Sequence, residues 1–170
     1  DPYLVRFETN DSHDLDPAAH HFDAGADLHP HWLFHTADDH RPERLPLGRA
    51  GDQWFGYDAV AAASAARARP AWRRFPCVVP DWDTSARKPN GGANSLHHQT
   101  VIGYETWLTR EVEQQRRAPG GGPRLVMLNA WNEWSECGYL EPDAEYGTAL
   151  LEATARAKGL KERVVIIHHA

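Results

Sequence analysis

The sequence is short of the features that would place it outside the ordinary globular proteins. It has two cysteines in 170 residues, Cys77 and Cys137, too few for a disulfide framework, so the core must hold by burial; a single bridge between them is open but not implied. No apolar run approaches the roughly 18 residues of a membrane-crossing helix, so no membrane span is expected. The formal charge is −6 with no clustered Lys and Arg, which argues against nucleic acid as a partner, since such surfaces displace counterions with grouped cations. There is no Gly-x-Gly-x-x-Gly or P-loop, no internal repeat and no low-complexity tract. Nor is a secretory signal visible, and since the chain opens Asp1-Pro2-Tyr3 without an initiator methionine a fragment or processed product is expected.

What is present fits one α/β domain over residues 1–170, at 41% hydrophobic and 25% charged residues. Residues 1–50 read as irregular apart from a strand-like run, Phe22 to Leu28, closed by His29-Pro30-His31. The alanine-rich stretch Tyr57–Arg69 predicts a helix stopped by Pro70. Phe75 to Pro80 predicts a buried strand leading into Asp81-Trp82-Asp83, and a Gly/Asn loop follows at 89–93. Val101, Tyr104, Leu108 and Val112 share a helical face that ends near Pro119-Gly120-Gly121-Gly122. Arg124 to Ala130 is a second buried-strand pattern. Pro142-Asp143 introduces a helix with Tyr146, Ala149, Leu150 and Ala153 on one face and Lys158-Gly159 as its stop. Val164 to Ile167 is one more strand.

Strands alternating with helices indicate parallel α/β architecture. The chemically interesting residues then fall in loops after strands: Asp27 with His29 and His31, Asp81 to Arg87, and Trp131 to Glu141. In a barrel of parallel strands such loops open on one face; an open doubly wound sheet also binds ligands at strand C-termini. A complete eight-stranded barrel takes about 250 residues, so three or four strands are expected here. A partial barrel is expected to leave strand edges and an apolar sheet face uncovered.

Glu133 and Glu136 are the candidate catalytic pair, because glycosidic cleavage needs one carboxyl to protonate the departing oxygen and a second as base or nucleophile. Spacing alone does not decide, since Glu-x-x-Glu also occurs on solvated helix faces. Seven tryptophans exceed the needs of a small core, and Trp82, Trp131 and Trp134 lie at strand ends where flat rings can stack on sugars; for Trp131 and Trp134, one platform and one core residue is the expectation. Asp83 and Arg87 can bind sugar hydroxyls or form an ion pair closing their loop. Glu141 is expected to orient the loop or cap the next helix, and Cys137 lacks a base partner. The histidines, paired at 20/21, 97/98 and 168/169, lack zinc spacing, so surface histidines are the default and no metal is expected.

The stretch Asn129-Ala-Trp-Asn-Glu-Trp-Ser-Glu-Cys-Gly-Tyr-Leu-Glu-Pro-Asp143 resembles the signature of WbsX-type proteins related to glycoside hydrolase family 99, Asn-Ala-Trp-Asn-Glu-Trp-Ala-Glu-Gly-x-Tyr-Leu-Glu-Pro-Asp. Val79 to Arg87 is similar to that family's Met-Pro-Gly-Trp-Asp-Asn-Thr-Ala-Arg, and Phe22 to His31 to its Phe-Asp-Ala-x-x-Glu-Phe-x-Pro-His. The three blocks cover roughly residues 20–155. The resemblance implies the C-terminal part of a (β/α)8 TIM-type barrel with its N-terminal strands missing, Glu133 as a base acting on the sugar's 2-hydroxyl, Glu136 as general acid, a 1,2-anhydro sugar and net retention. It also implies substrate contacts from Asp27, His31, Trp82, Asp83, Arg87, Trp131, Asn132, Trp134 and Tyr139, an oligosaccharide or polysaccharide partner of α-mannose or bacterial surface type, a bacterial cytoplasmic location, and no metal or organic cofactor. Transfer of a sugar in O-antigen or capsule assembly is the alternative activity, and a non-catalytic carbohydrate-binding remnant the alternative class. Three positions depart from the pattern: Cys137 stands where glycine is usual, Asp27 replaces a glutamate, and Asp81 replaces a glycine.

Overall fold

A computed structural model describes residues 2–9, 14–31, 33–36, 49–159 and 165–166. Strand β1 (Val5–Glu8) pairs in parallel with β2 (Ala24–Asp27), and β2 with β4 (Arg74–Phe75). Strand β5 (Cys77–Val78) pairs in parallel with β7 (Met127–Leu128), which pairs with β10 (Val165–Ile166). Only Pro76 separates β4 from β5; it has no N–H to give to a ladder, though its carbonyl still accepts from Met127 N at 2.8 Å. The strands therefore neighbour one another in chain order, each parallel to the next. A smaller parallel pair, β3 (Gln53–Gly56) with β6 (Asn94–His97), is built from the connections.

Three longer helices form the crossovers. Helix α2 (Tyr57–Ala66) follows β3 directly, after the short α1 (Leu33–Thr36). Helix α3 (Val101–Arg117) starts where Thr100 Oγ1 accepts from Gly103 N at 2.9 Å, and α4 (Ala149–Lys158) ends at Gly159, whose φ of 58° suits a residue without Cβ. Between sheet and helices lies the main core, where Val78 and Leu128 meet Tyr57, Val60, Tyr104, Trp107, Leu108, Leu150 and Ala153. Full burial of such aliphatic and aromatic side chains contributes about 1.5–3 kcal/mol each. The two phenols inside are satisfied, Tyr57 donating to Val79 O at 2.6 Å and Tyr104 sharing a 2.8 Å bond with Thr154 Oγ1.

Ala24, Ala26, Phe75, Cys77 and Met127 form a second cluster on the other face of the sheet, with Val5, Phe7 and Leu125 against it. The expectation of an uncovered sheet face needs correction here, because the five central residues are at most 4% exposed. Two of them are alanines with little surface to cover, and Tyr3 lies with its ring 6.5 Å from that of Phe75.

Boundaries also shifted for identifiable reasons. Helix α2 stops at Ala66 because Arg67 leaves the helical region (ψ 131°). Helix α4 begins at Ala149, not near Pro142, because Asp143 Oδ1 accepts from Glu145 N at 3.0 Å and Tyr146 N at 2.5 Å and holds 143–147 in a turn. Strand β1 lies in the segment read as irregular, and β6 follows the Gly/Asn loop without a strand signal of its own. Of the last expected strand, Val164 and Ile167 lie outside the described residues, as do His168 and His169.

Candidate active site

The turn carrying both glutamates leaves the carboxyl end of β7. Asn132 and Glu133 form β8, paired antiparallel with β9 (Gly138–Tyr139), and Trp134–Glu136 is a 3-10 turn between them. Glu133 is the last residue of β8 and Glu136 the last of the 3-10 turn, so the hairpin carries both glutamates within four residues. Cys137 closes the turn with φ 56°, the conformation that makes glycine usual there. Gly138 packs closely: a Cβ there would lie 3.3 Å from the Trp82 ring, which would have to give by a few tenths of an ångström.

Each carboxylate has a neighbour. Ser135 Oγ donates to Glu133 Oε1 at 2.8 Å, and the Arg87 guanidinium is ion-paired with Glu136. The side chain of Glu136 is 14% exposed and that of Arg87 52%. The expected Asp83–Arg87 pair is not what forms. Asp83 Oδ1 instead accepts from Ser95 Oγ (2.6 Å) and Ser85 N (2.7 Å), while its own N–H donates to Glu136 O at 2.7 Å. The loop from Asp81 to Arg87 is laced onto β6 by Leu96 N donating to Trp82 O and Asn94 N donating to Thr84 Oγ1. Arg49 secures the turn that carries Arg87 by donating to Ser85 O and Lys88 O.

The aromatic residues divide. Trp134 is 48% exposed, stacks on Tyr139 with centroids 3.8 Å apart and donates its indole N–H to Glu141; Tyr139 donates to Asp143 Oδ2 at 2.9 Å. Trp131 packs against the main core. Trp82 is 3% exposed, with His31 edge-on at 5.3 Å between ring centroids. His31, Trp82, Asp83, Glu136 and Arg87 are thus joined in one chain of neighbours, while the Trp134–Tyr139 stack and exposed Asn132 sit on the hairpin that carries Glu136. Burial pushes the Asp81 carboxyl up to about 6. It also raises the Cys137 thiol, helped by Asp83 and Asp81, which keeps that sulfur protonated and weakly nucleophilic.

Asp27 lies elsewhere. Ala24 and Ala26 face the second cluster, so Gly25 and Asp27 face the opposite side of the pleat. There Asp27, 5% exposed, pairs with Arg67, which also meets Glu8 at 2.6 Å and Asp14 at 2.8 Å, and Arg74 Nε lies 3.7 Å away. Burial pushes the Asp27 carboxyl up to about 7 against the pull of Arg67 and Arg74. His29 is not a surface residue either. It is fully buried beside Trp107, with Nε2 3.2 Å from Ser64 Oγ, and burial holds it well below the ordinary imidazole range, hence neutral. Among the described residues no group of three His, Cys, Asp or Glu is placed to hold a metal, and no helix is long and apolar enough to cross a membrane.

Sequence reasoning missed Arg49, Ser95, Ser135 and Asp143. Their role is positional and depends on contacts distant in the chain, except for Ser135 and Asp143, which sit inside the signature and were passed over.

Comparison with known proteins agrees with the signature. Two proteins named "Uncharacterized protein WxcX", from two strains of Xanthomonas campestris pv. campestris, are 32% and 31% identical to this chain over 155 residues. The match takes in 91% of the chain and 21% of each relative, so the chain spans about a fifth of the length of these curated relatives. No solved structure matches. The family model described as "Glycosyltransferase WbsX" matches residues 1–154, and the chain belongs to that family.

Proposed function

We propose that this chain supplies the carboxyl-terminal strands of a (β/α)8 catalytic barrel and that Glu133 and Glu136 cleave internal α-mannose-type linkages of a bacterial surface polysaccharide with retention. The observation that carries this reading is the placement of both carboxyls on one short hairpin that follows a parallel strand, Glu133 at the end of β8 and Glu136 at the end of the 3-10 turn after it, beside a half-exposed tryptophan stacked on Tyr139. In the forward step Glu133 takes the proton of the sugar 2-hydroxyl, O2 bonds to the anomeric carbon, and Glu136 gives its proton to the departing glycosidic oxygen. A water then opens the 1,2-anhydro ring: Glu136 takes the water's proton, the hydroxyl adds to the anomeric carbon, and Glu133 returns the proton to O2. Two inversions leave the configuration unchanged.

Arg87 constrains this scheme. The guanidinium occupies the carboxyl that has to meet the departing glycosidic oxygen, so Arg87 must leave Glu136 when sugar occupies the turn. Its exposure permits that movement. In the full-length protein, Glu136→Gln should lose turnover of substrates with poor leaving groups by about 10²–10⁴-fold while sparing activated aryl glycosides. Glu133→Gln should suppress both, because the base helps form the new bond whatever departs. Wild-type rates in both variants on a substrate the parent cleaves would remove the assignment.

Sugar transfer to an acceptor hydroxyl is the second reading, favoured by the description of the matching family. The same two carboxyls serve it, with the acceptor replacing water. Activity only in the presence of a nucleotide sugar and an acceptor decides for transfer.

A further inference from the structure

The hairpin after β7 is followed by a third glutamate that the two-carboxyl scheme does not use. The backbone of Glu141 is fixed across the hairpin, since Glu141 N donates to Trp131 O at 3.1 Å beside Leu140 N at 2.9 Å. Its carboxylate accepts the indole N–H of Trp134. An indole nitrogen can only donate, so this bond fixes one edge of the ring.

Trp134 is held from a second side as well. Its ring lies on that of Tyr139 with centroids 3.8 Å apart and planes 16° from parallel. Tyr139 is tied down in turn: its hydroxyl donates to Asp143 Oδ2 at 2.9 Å, and Asp143 Oδ1 accepts from Glu145 N and Tyr146 N in the turn before α4. One face and the N–H edge of the indole are thereby occupied. Trp134 nonetheless remains 48% exposed, and the second face of the ring is the large surface left to account for that exposure. Among the described tryptophans it is the one left largely in solvent, whereas Trp82 and Trp107 are buried and Trp131 packs against the main core.

An apolar face kept in water is unfavourable by itself. An indole free to turn would also lose that freedom when a sugar settled on it, and one already fixed binds without the loss. We infer that Glu141 is a positioning residue, holding the indole edge so that the open face of Trp134 forms a rigid platform for a sugar beside Glu133. Glu141 breaks no bond and acts through the ring. The inference rests on the hairpin being a sugar site, not on which carboxyl reacts, and it concerns affinity rather than the chemical step.

The test uses the full-length protein carrying Glu133→Gln and Glu136→Gln, so that no probe is consumed, with 5-fluorotryptophan in place of tryptophan. The Trp134 fluorine resonance is identified by its loss in Trp134→Phe, and mannotriose, maltotriose and cellotriose are the probes. At least one trisaccharide should move that resonance. Glu141→Leu, which removes the acceptor, should weaken binding of that sugar about tenfold, the scale of one hydrogen bond to a charged group. Glu141→Gln keeps an oxygen for the indole N–H and should recover most of the loss. Trp134→Phe keeps a ring to lie on Tyr139 but has no N–H, so in that background calorimetry should find no further weakening on adding Glu141→Leu. Equal losses from Glu141→Leu with and without the indole would make Glu141 a direct sugar contact and overturn the proposal. Affinity unaltered by Glu141→Leu, or a Trp134 resonance unmoved by all three sugars, would overturn it too. Failure of the hydrolase reading is a separate result, since it appears in turnover and binding is read here without turnover.

Discussion

The cluster around Arg67 and the pair Arg87–Glu136 use the same chemistry in opposite surroundings. The Arg67 side chain is 7% exposed and joins the side chains of Glu8 and Asp27, at 0% and 7%, with Asp14 at the rim. Arg87 is 52% exposed, rides on a three-residue 3-10 turn and reaches a carboxyl that is 14% exposed. A buried guanidinium with several carboxyl partners cannot leave without stranding charge in a poor dielectric, whereas an exposed one exchanges its partner for water at little cost. The difference separates a fastening from a contact that a substrate can displace, which burial and partner number reveal and the residue types do not.

The largest effect expected from breaking this comparison is at Arg67. Arg67→Met should destabilise the protein by about 3–5 kcal/mol, the range for removing one partner of a buried ion pair. Asp27, already raised to about 7, can answer the loss by taking up a proton. The deficit should therefore be smaller at pH 5 than at pH 8, and denaturant midpoints at the two pH values check this. A loss under about 1 kcal/mol at pH 8 would mean that the cluster holds nothing together.

Asp81 should give an intermediate effect. Its carboxyl is raised to about 6 by burial, so between the unfolded value of about 3.9 and pH 6 the folded state binds more protons than the unfolded state. Stability from this group is then full below about pH 4 and is lost as pH rises through 6. The two-unit shift corresponds to at most about 3 kcal/mol, and partial exposure of Asp81 reduces this to about 1–2 kcal/mol. Asp81→Asn, which retains an oxygen to accept from Trp82 N, should be more stable than the parent at pH 7 and equal to it at pH 4. Parallel pH profiles for the two proteins would show that Asp81 is solvated after all.

The contrast between the two clusters also shows what the sequence could disclose. The strands at 24–27, 74–78 and 127–128 and the helices α2 and α3 were legible because burial writes itself into apolar runs and helical periodicity. The glutamate turn was legible for a different reason, since Trp131 to Glu141 repeats a family signature residue for residue apart from Ser135 and Cys137. Strand β6 was not, because Asn94-Ser95-Leu96-His97 has no strand pattern and is held by β3 and by the Trp82 loop. Asp27 was misplaced since a strand's end does not say which face its last side chain takes, and a one-residue change of phase moves it from one side of the sheet to the other. The Arg87 partner was missed because the nearer carboxyl in sequence, Asp83, is already engaged by Ser85 and Ser95.

The smallest change in stability and the sharpest test of the comparison is Arg87→Met. An ion pair with one partner half in solvent contributes about 0–1 kcal/mol, so the unfolding midpoint should hardly move. The rate should respond where the stability does not. Arg87 occupies the carboxyl that has to meet the departing oxygen, so turnover of a poor-leaving-group substrate should change in the variant. Activated aryl glycosides, which need little protonation, should change little. If Arg87 also binds the sugar that displaces it, KM should rise in addition. A stability loss above about 2 kcal/mol would place Arg87 with Arg67 as a fastening. Unchanged turnover and KM on the poor-leaving-group substrate at unchanged stability would mean that Arg87 does not act on Glu136 during the reaction, and that the pair belongs to the resting loop alone.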